Sequence, residues 1–146
     1  MNAAHPYLNF KGNTEEVFNF YKSVFGGEFA MIVRFKDFGE DAMGVGKSDH
    51  DKIAHIALPV GQTMLMASDV VGSYAESLKV GNNVYITLNP DSAEEAQRVF
   101  NALAAGGTVE MPLQQTAWAE KYGSCKDKFG IRWMVSYAGN VTFGGG

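Results

Sequence analysis

The apolar patterning of this 146-residue sequence predicts an α+β fold of two tandem βαβββ modules. Each module is expected to be a curved mixed sheet with one helix packed outside, the concave sides forming a cleft. Three observations predict it. A strand, a capped apolar-faced helix and a Gly-Gly stop occur twice: the strand starts at His5 and Tyr85 and the pairs Gly26-Gly27 and Gly106-Gly107 lie 80 residues apart, and the Glu-Glu pairs 79. A strand and a hairpin follow each stop, and the returning strands match as Leu65-Met-Ala-Ser68 and Trp133-Met-Val-Ser136. Neither set of strands can cover its own apolar face, so each sheet must pack on its helix. The expected modules are 1–70 and 83–138, with a connection at 71–82 and a glycine-rich flexible tail at 139–146, one structural domain in all.

Ala4–Phe10 alternates weakly and reads as the first strand, with Pro6 at a tolerated early position. Lys11-Gly12-Asn13 turns the chain. Asn13 with Glu16 has the form of a capping box, and two acids lie where the helix dipole favours them. The helix is expected over Thr14–Phe25, with Val17, Phe20, Tyr21, Val24 and Phe25 as its apolar stripe. Gly26-Gly27 ends it. Glu28–Phe38 is a β-branched and aromatic strand, 39–51 a loop containing His50, Lys52–Val60 a strand, Gly61-Gln62 a turn and Thr63–Ala67 the returning strand. Residues 68–83 are polar and glycine-containing. Asn83–Asn89 opens the second copy, and Ser92 with Glu95 repeats the capping box. Ala93–Ala105 puts Ala96, Val99, Phe100, Leu103 and Ala104 on one face. Thr108–Leu113 is a strand limited by Pro112, and Trp118 to Tyr137 is a hairpin turning at Asp127-Lys-Phe-Gly130.

The formal charge is −4 and no Lys/Arg run exists, which argues against nucleic acid and anionic membranes as partners. No apolar run approaches a membrane span, and the N-terminus lacks the basic region and apolar core of a signal peptide. Cys125 is the only cysteine, so no intramolecular disulfide can form and a reducing cytoplasm is the expected compartment.

Several residues are candidates for chemistry. His55 alternates with Ile53 and Ala57 on one strand face, where it would serve as an acid or base, the plainer alternative being a structural histidine. Tyr85, Trp118, Tyr122 and Trp133 would make an aromatic wall for a planar ligand, or pack as core. Arg34 and Arg132 sit in apolar strands, where each calls for an acid or an anionic ligand. Cys125 precedes Lys126 and Lys128, cations expected to lower its pKa, but no triad-like His or Asp adjoins it. Neither Gly-Gly pair opens a phosphate-binding loop.

Three stretches, Tyr7-Leu-Asn-Phe-Lys-Gly-Asn-Thr-Glu-Glu through Phe25-Gly-Gly27, Asp51-Lys-Ile-Ala-His55 through Ser68-Asp69, and Trp118 through Asp127-Lys-Phe-Gly130 to Trp133-Met134, span nearly the whole chain. Together they resemble the vicinal-oxygen-chelate superfamily of glyoxalases, bleomycin-resistance proteins and extradiol dioxygenases. They are most similar to its PhnB-like branch, also labelled 3-demethylubiquinone-9 3-methyltransferase-like. The resemblance implies the glyoxalase/bleomycin-resistance fold and a homodimer whose clefts are shaped partly by the partner chain. The methyltransferase activity in the label is not expected, because the sequence has no Gly-rich strand-to-helix turn of the kind that binds S-adenosylmethionine. Metal-using members draw their ligands from the first and last strands of each module. Carried over, those positions are His5, Tyr85, Met66 and Met134, of which only His5 suits a hard divalent ion. A second count, back from Gly61, puts His55 at the carboxylate position. The expected function is metal-independent, cofactor-free binding of a small aromatic or planar molecule in the cleft by Tyr85, Trp118, Tyr122, Met66 and Met134. The alternative is a lyase or transferase resembling glyoxalase or fosfomycin-resistance enzymes, with a divalent metal and with His5 and His55 as catalytic candidates. Whether the chain is an enzyme stays open between the two.

Overall fold

A computed structural model describes residues 1–141, so the expected flexible tail lies, beyond Val141, outside the described residues. The chain divides into two compact units, Met1–Lys79 and a second from Val80 onward.

In the first unit, β1 (Tyr7–Phe10), β2 (Met31–Arg34), β3 (Ile53–Val60) and β4 (Thr63–Asp69) form a sheet in the order β1-β4-β3-β2. β1 runs parallel to β4 and the other neighbours are antiparallel. Helix α1 (Thr14–Phe25) covers one face. Leu65 and Ala67 of β4 and Ile56 and Leu58 of β3 are buried under it, while the alternate residues Met64, Met66 and Ser68 lie half-buried on the opposite, open face. The buried stripe of α1 is Thr14, Val17, Phe18, Tyr21 and Val24. Phe18 takes the place expected for Phe20 and Phe25, which are only half-buried.

The expected Asn13 capping box is absent: Asn13 makes no side-chain cap. Asp69, at the end of β4, does the work instead. Its buried carboxylate accepts the backbone N–H groups of Gly12 and Thr14 at 3.0 Å each, the Thr14 hydroxyl at 2.6 Å and the Ile53 N–H at 2.9 Å. A full negative charge there also meets the positive end of the helix dipole. The expected strand Glu28–Phe38 is shorter, because Asp37 accepts the Arg34 N–H at 2.8 Å and turns Phe35–Phe38 into a 3-10 turn.

In the second unit, β5 (Ile86–Leu88), β6 (Thr108–Gln114), β7 (Lys121–Lys126) and β8 (Arg132–Tyr137) repeat the plan in the order β5-β8-β7-β6. Helix α3 (Ala93–Ala104) follows a short helix α2 (Ser73–Ser77) of the first unit. It buries Ala96, Val99, Phe100 and Leu103 against β7 and β8. Here the Ser92 cap is present, its hydroxyl accepting the Glu95 N–H at 3.0 Å, while the Glu95 carboxylate accepts from Asp91 rather than from Ser92. The turn at Asp127-Lys-Phe-Gly130 is held by Asp127, whose carboxylate accepts the N–H groups of Phe129 and Ile131 and the Trp133 indole at 2.9 to 3.0 Å. Gly107 is required by a close approach: a Cβ there would lie 2.1 Å from the Lys126 carbonyl oxygen.

Candidate functional site

Chemistry concentrates on the two open sheet faces, where strand alternation leaves side chains uncovered by a helix. On the first unit's face, Tyr7 is the register partner of Met66, and Ala57 of Met66 in turn. His55, two residues before Ala57, sits beside them, with its Nδ1 3.2 Å from the Tyr7 hydroxyl and the rings 5.6 Å apart. Ile53 does not share this face. Between Arg34 and Val33 the ladder takes one step on β2 for two on β3, from Ile53 to His55. This bulge at Ala54 turns Ile53 inward to 1% exposure. His5, at the edge of the face, accepts the Met64 backbone N–H on its Nδ1 at 3.1 Å.

The second unit's open face carries Thr87 on β5, Met134 on β8 and Tyr122 on β7. The Tyr122 hydroxyl lies 3.3 Å from the Met134 sulfur and the Thr87 hydroxyl 3.9 Å from it. Trp118, in the loop before β7 rather than in the strand, packs edge-on against Tyr122, with ring centroids 5.2 Å apart at 78°. It remains 46% exposed. Trp133 lies on the other side, in the core under α3, 1% exposed. The structure thus brings Trp118, Tyr122 and Met134 together and removes Trp133 from the wall.

Tyr85 belongs to a second group on the same face. Its hydroxyl donates to Glu110 at 2.8 Å, and Arg132 donates to the other Glu110 oxygen while its guanidinium carbon lies 5.9 Å from the Tyr85 ring centre. Glu110 reaches this position because β6 bulges there, Val109 pairing with Cys125 and Met111 with Ser124. The Tyr85 hydroxyl and the Glu110 carboxylate raise the Arg132 pKa, so the guanidinium is charged at every working pH. The Arg132 Nε is buried without a hydrogen-bond partner among the described residues. Sequence patterning missed Tyr7 and Glu110: Tyr7 stood inside a recognisable motif without a role, and a bulge leaves no trace in period-2 alternation.

The other candidates are structural. Arg34 holds Glu15 of α1 through both guanidinium nitrogens at 2.7 and 3.0 Å, which lowers the Glu15 pKa. Cys125 is fully buried, and the expected lowering of its pKa is reversed. Burial, then the charges of Asp127 and Glu110, push the thiol up to about 11, and Lys126 and Lys128 do not offset this.

The divalent ion implied by the superfamily can be tested against these positions. The Nδ1 of His5 accepts a backbone N–H, so the neutral ring keeps its proton on Nε2 and neither nitrogen offers a lone pair. The other three positions are Tyr85, engaged with Glu110, and the thioethers Met66 and Met134, soft ligands for a hard ion. Among the described residues no three His, Cys, Asp or Glu side chains gather as a metal site. These residues do not fit such an ion.

Comparison with known proteins gives a consistent picture. The family model described as 3-demethylubiquinone-9 3-methyltransferase matches residues 2–136. The chain is 30% identical over 138 residues to Protein YjdN of Escherichia coli, covering 90% of this chain and 92% of that one. It is 41% identical to protein PA1353 of Pseudomonas aeruginosa, with a TM-score of 0.83 over 94% of this chain and 98% of that one. A PhnB protein from Bacillus cereus is 26% identical, with a TM-score of 0.68 over 94% and 100% of the two chains. At 12% and 15% identity the likeness extends, as one of fold alone, to the fosfomycin resistance protein FosX of Listeria monocytogenes and to a glyoxalase/bleomycin resistance protein/dioxygenase family enzyme of Burkholderia phytofirmans. With a family match along nearly its whole length and the βαβββ sheet repeated in each unit, as in the glyoxalase/bleomycin-resistance fold, the chain belongs to the 3-demethylubiquinone-9 3-methyltransferase family.

Proposed function

We propose that this protein binds a small planar or aromatic molecule, without a metal, on the open face of its second sheet. Trp118, Tyr122 and Met134 would hold the ring system and Tyr85 would bound it; Met66, beside Tyr7 and His55, is the corresponding patch of the first unit. One observation carries the reading. An exposed Trp packs edge-on against a Tyr whose hydroxyl is tied to a Met sulfur, which leaves a fixed aromatic surface backed by a polarisable one. The same reading takes the protein as a cytoplasmic homodimer. Exposed apolar residues on the edge strands, Ile32 and Met31 of β2 and Val109 and Met111 of β6, support pairing with a second copy. Of the metal-dependent lyase or transferase chemistry expected as an alternative, the Tyr7–His55 hydrogen bond supports an acid–base role for His55, while His5, committed to the Met64 N–H, has no such support.

Tryptophan fluorescence tests the binding reading. Trp133 is sealed in the core and supplies a constant background, so any ligand-dependent change reports on Trp118. A saturable change with some member of a panel of aromatic and thiol-conjugated compounds, lost in Trp118→Phe, is the expected result. Silence of the wild-type protein across the whole panel would remove the reading.

A further inference from the structure

The open face of the second unit has a polar end that the aromatic surface does not explain. Arg132 lies two residues from Met134 on β8 and therefore on the same face, about 7 Å along the strand. Its side chain is only 18% exposed and is held by Glu110 beside the Tyr85 hydroxyl, yet its Nε is buried with no hydrogen-bond partner among the described residues. A charged donor left unmatched in this way is unfavourable unless a ligand meets it. Directly across the β7–β8 pair from Arg132 stands Lys126, hence on the same face, and it pairs with no acid among the described residues. Two cations therefore meet one carboxylate, Glu110. Glu110 itself is already taken by Arg132 and the Tyr85 hydroxyl, so it positions the guanidinium rather than neutralising the whole end of the face.

Resting on the proposed aromatic platform, we infer that the ligand is an aromatic acid: a planar body on Trp118, Tyr122 and Met134, with a carboxylate or similar oxyanion held by Arg132 and Lys126. The planar guanidinium suits a two-oxygen anion, and a partly desolvated site strengthens the pairing. Along the strands the distance to the cations runs from about 7 Å at Met134 to about 13 Å at Tyr122, which suits an acid of two rings, or of one ring with its oxyanion on a short arm. Tyr85 and Glu110 act as positioning residues.

Calorimetric titration of the intact protein with matched pairs tests this: benzoic, 2-naphthoic and indole-3-acetic acids, each against its neutral amide. At least one acid is expected to bind about tenfold or more tighter than its amide, an advantage that shrinks in high salt as exposed charge pairs are screened. Lys126→Met and Arg132→Met should each cut that advantage, read as the ratio of acid to amide affinity in the same variant. Lys126 lies outside the Glu110 network, so its variant keeps the test decisive if Arg132→Met fails to fold. Equal affinity of acids and amides for the wild-type protein overturns the inference and leaves the platform standing. So does an acid preference that survives in Lys126→Met and is insensitive to salt. Failure of every acid and every amide to bind removes the platform and the inference together.

Discussion

Asp69 accepts four hydrogen bonds at once in a site 4% exposed to solvent, tying the first turn of α1 to the start of β3. An amide at this position would present a donor to at least one of those donors and lose the charge that complements the helix. Asp69→Asn should therefore cost about 2–3 kcal/mol, read as a lowered midpoint in urea unfolding with an unchanged slope. A change under about 0.5 kcal/mol would show that the cap does not matter. Cys125 makes the opposite kind of statement: the residue that resembled a reactive thiol is a core residue. Its folded pKa, about 11, lies above the ordinary value of 9.0, so its contribution to stability is present below pH 9 and is lost as pH rises through the folded value. Native protein at pH 8 should resist thiol-labelling reagents and label fully in denaturant; rapid labelling of the native form would contradict the burial. Both residues show why site chemistry was harder to read than fold. Asp69 stood in a recognisable Ser-Asp motif but its partners are 16 to 57 residues away in sequence. Lys126 and Lys128 follow Cys125 in sequence, but its burial and the acids Asp127 and Glu110 decide its pKa.

At the level of elements, the helices and hairpins were legible because their signals are local: stripes at helical spacing, Gly-Gly stops and the Asp-Lys-Phe-Gly turn. Strand register was not, since the irregularities at Ala54, at Glu110 and between Met111 and Gln114 depend on how a neighbouring strand pairs. They matter because each resets which side chains reach the open face. Gly107 shows a tighter constraint than a helix stop needs. Gly107→Ala would push a methyl group against the Lys126 carbonyl, and the chain can relieve that only by moving the α3–β6 connection off β7. A loss of about 2 kcal/mol or more is expected, against a much smaller loss for Gly27→Ala, where a Cβ meets nothing within 4 Å and the cost is confined to its positive φ. Comparable losses at both sites would mean that helix stopping, not close approach, is what Gly107 provides. The Arg34–Glu15 pair joins β2 to α1 near the surface, with Glu15 half exposed, so Arg34→Met should cost only about 0.5 kcal/mol. Because Glu15 is held below its ordinary pKa of 4.5, this contribution is fully present above that value and falls away as acid protonates the folded carboxylate, so wild type and variant should converge in stability as the pH is lowered further.

Across the molecule the two units share one plan and have diverged in what they place on it. Met66 and Met134 occupy equivalent points, each opposite the strand residue that repeats at Tyr7 and Thr87. By the same register His55 corresponds to Tyr122, and Met64 to Arg132. The repeat itself was visible in the sequence because duplicated strands, caps and stops recur at a fixed spacing. The divergence of the faces needed three dimensions, since each equivalence runs through a ladder rather than along the chain. The four positions that the superfamily resemblance implies for a metal carry two thioethers, a tyrosine engaged with Glu110 and a histidine committed to the backbone. That arrangement predicts the response of the whole molecule to metal. A hard ion that finds a real site stabilises the folded state by about 2.7 kcal/mol at a hundredfold excess over its dissociation constant. Added Mg, Mn or Ni should therefore leave the thermal midpoint where it is, and protein purified without chelator should carry under about a tenth of an equivalent of Zn, Ni or Mn by elemental analysis. Near-stoichiometric metal, or a saturable rise in the midpoint that His5→Ala removes, would mean that the His5 ring turns over to free a nitrogen, and would restore the metal-dependent lyase or transferase.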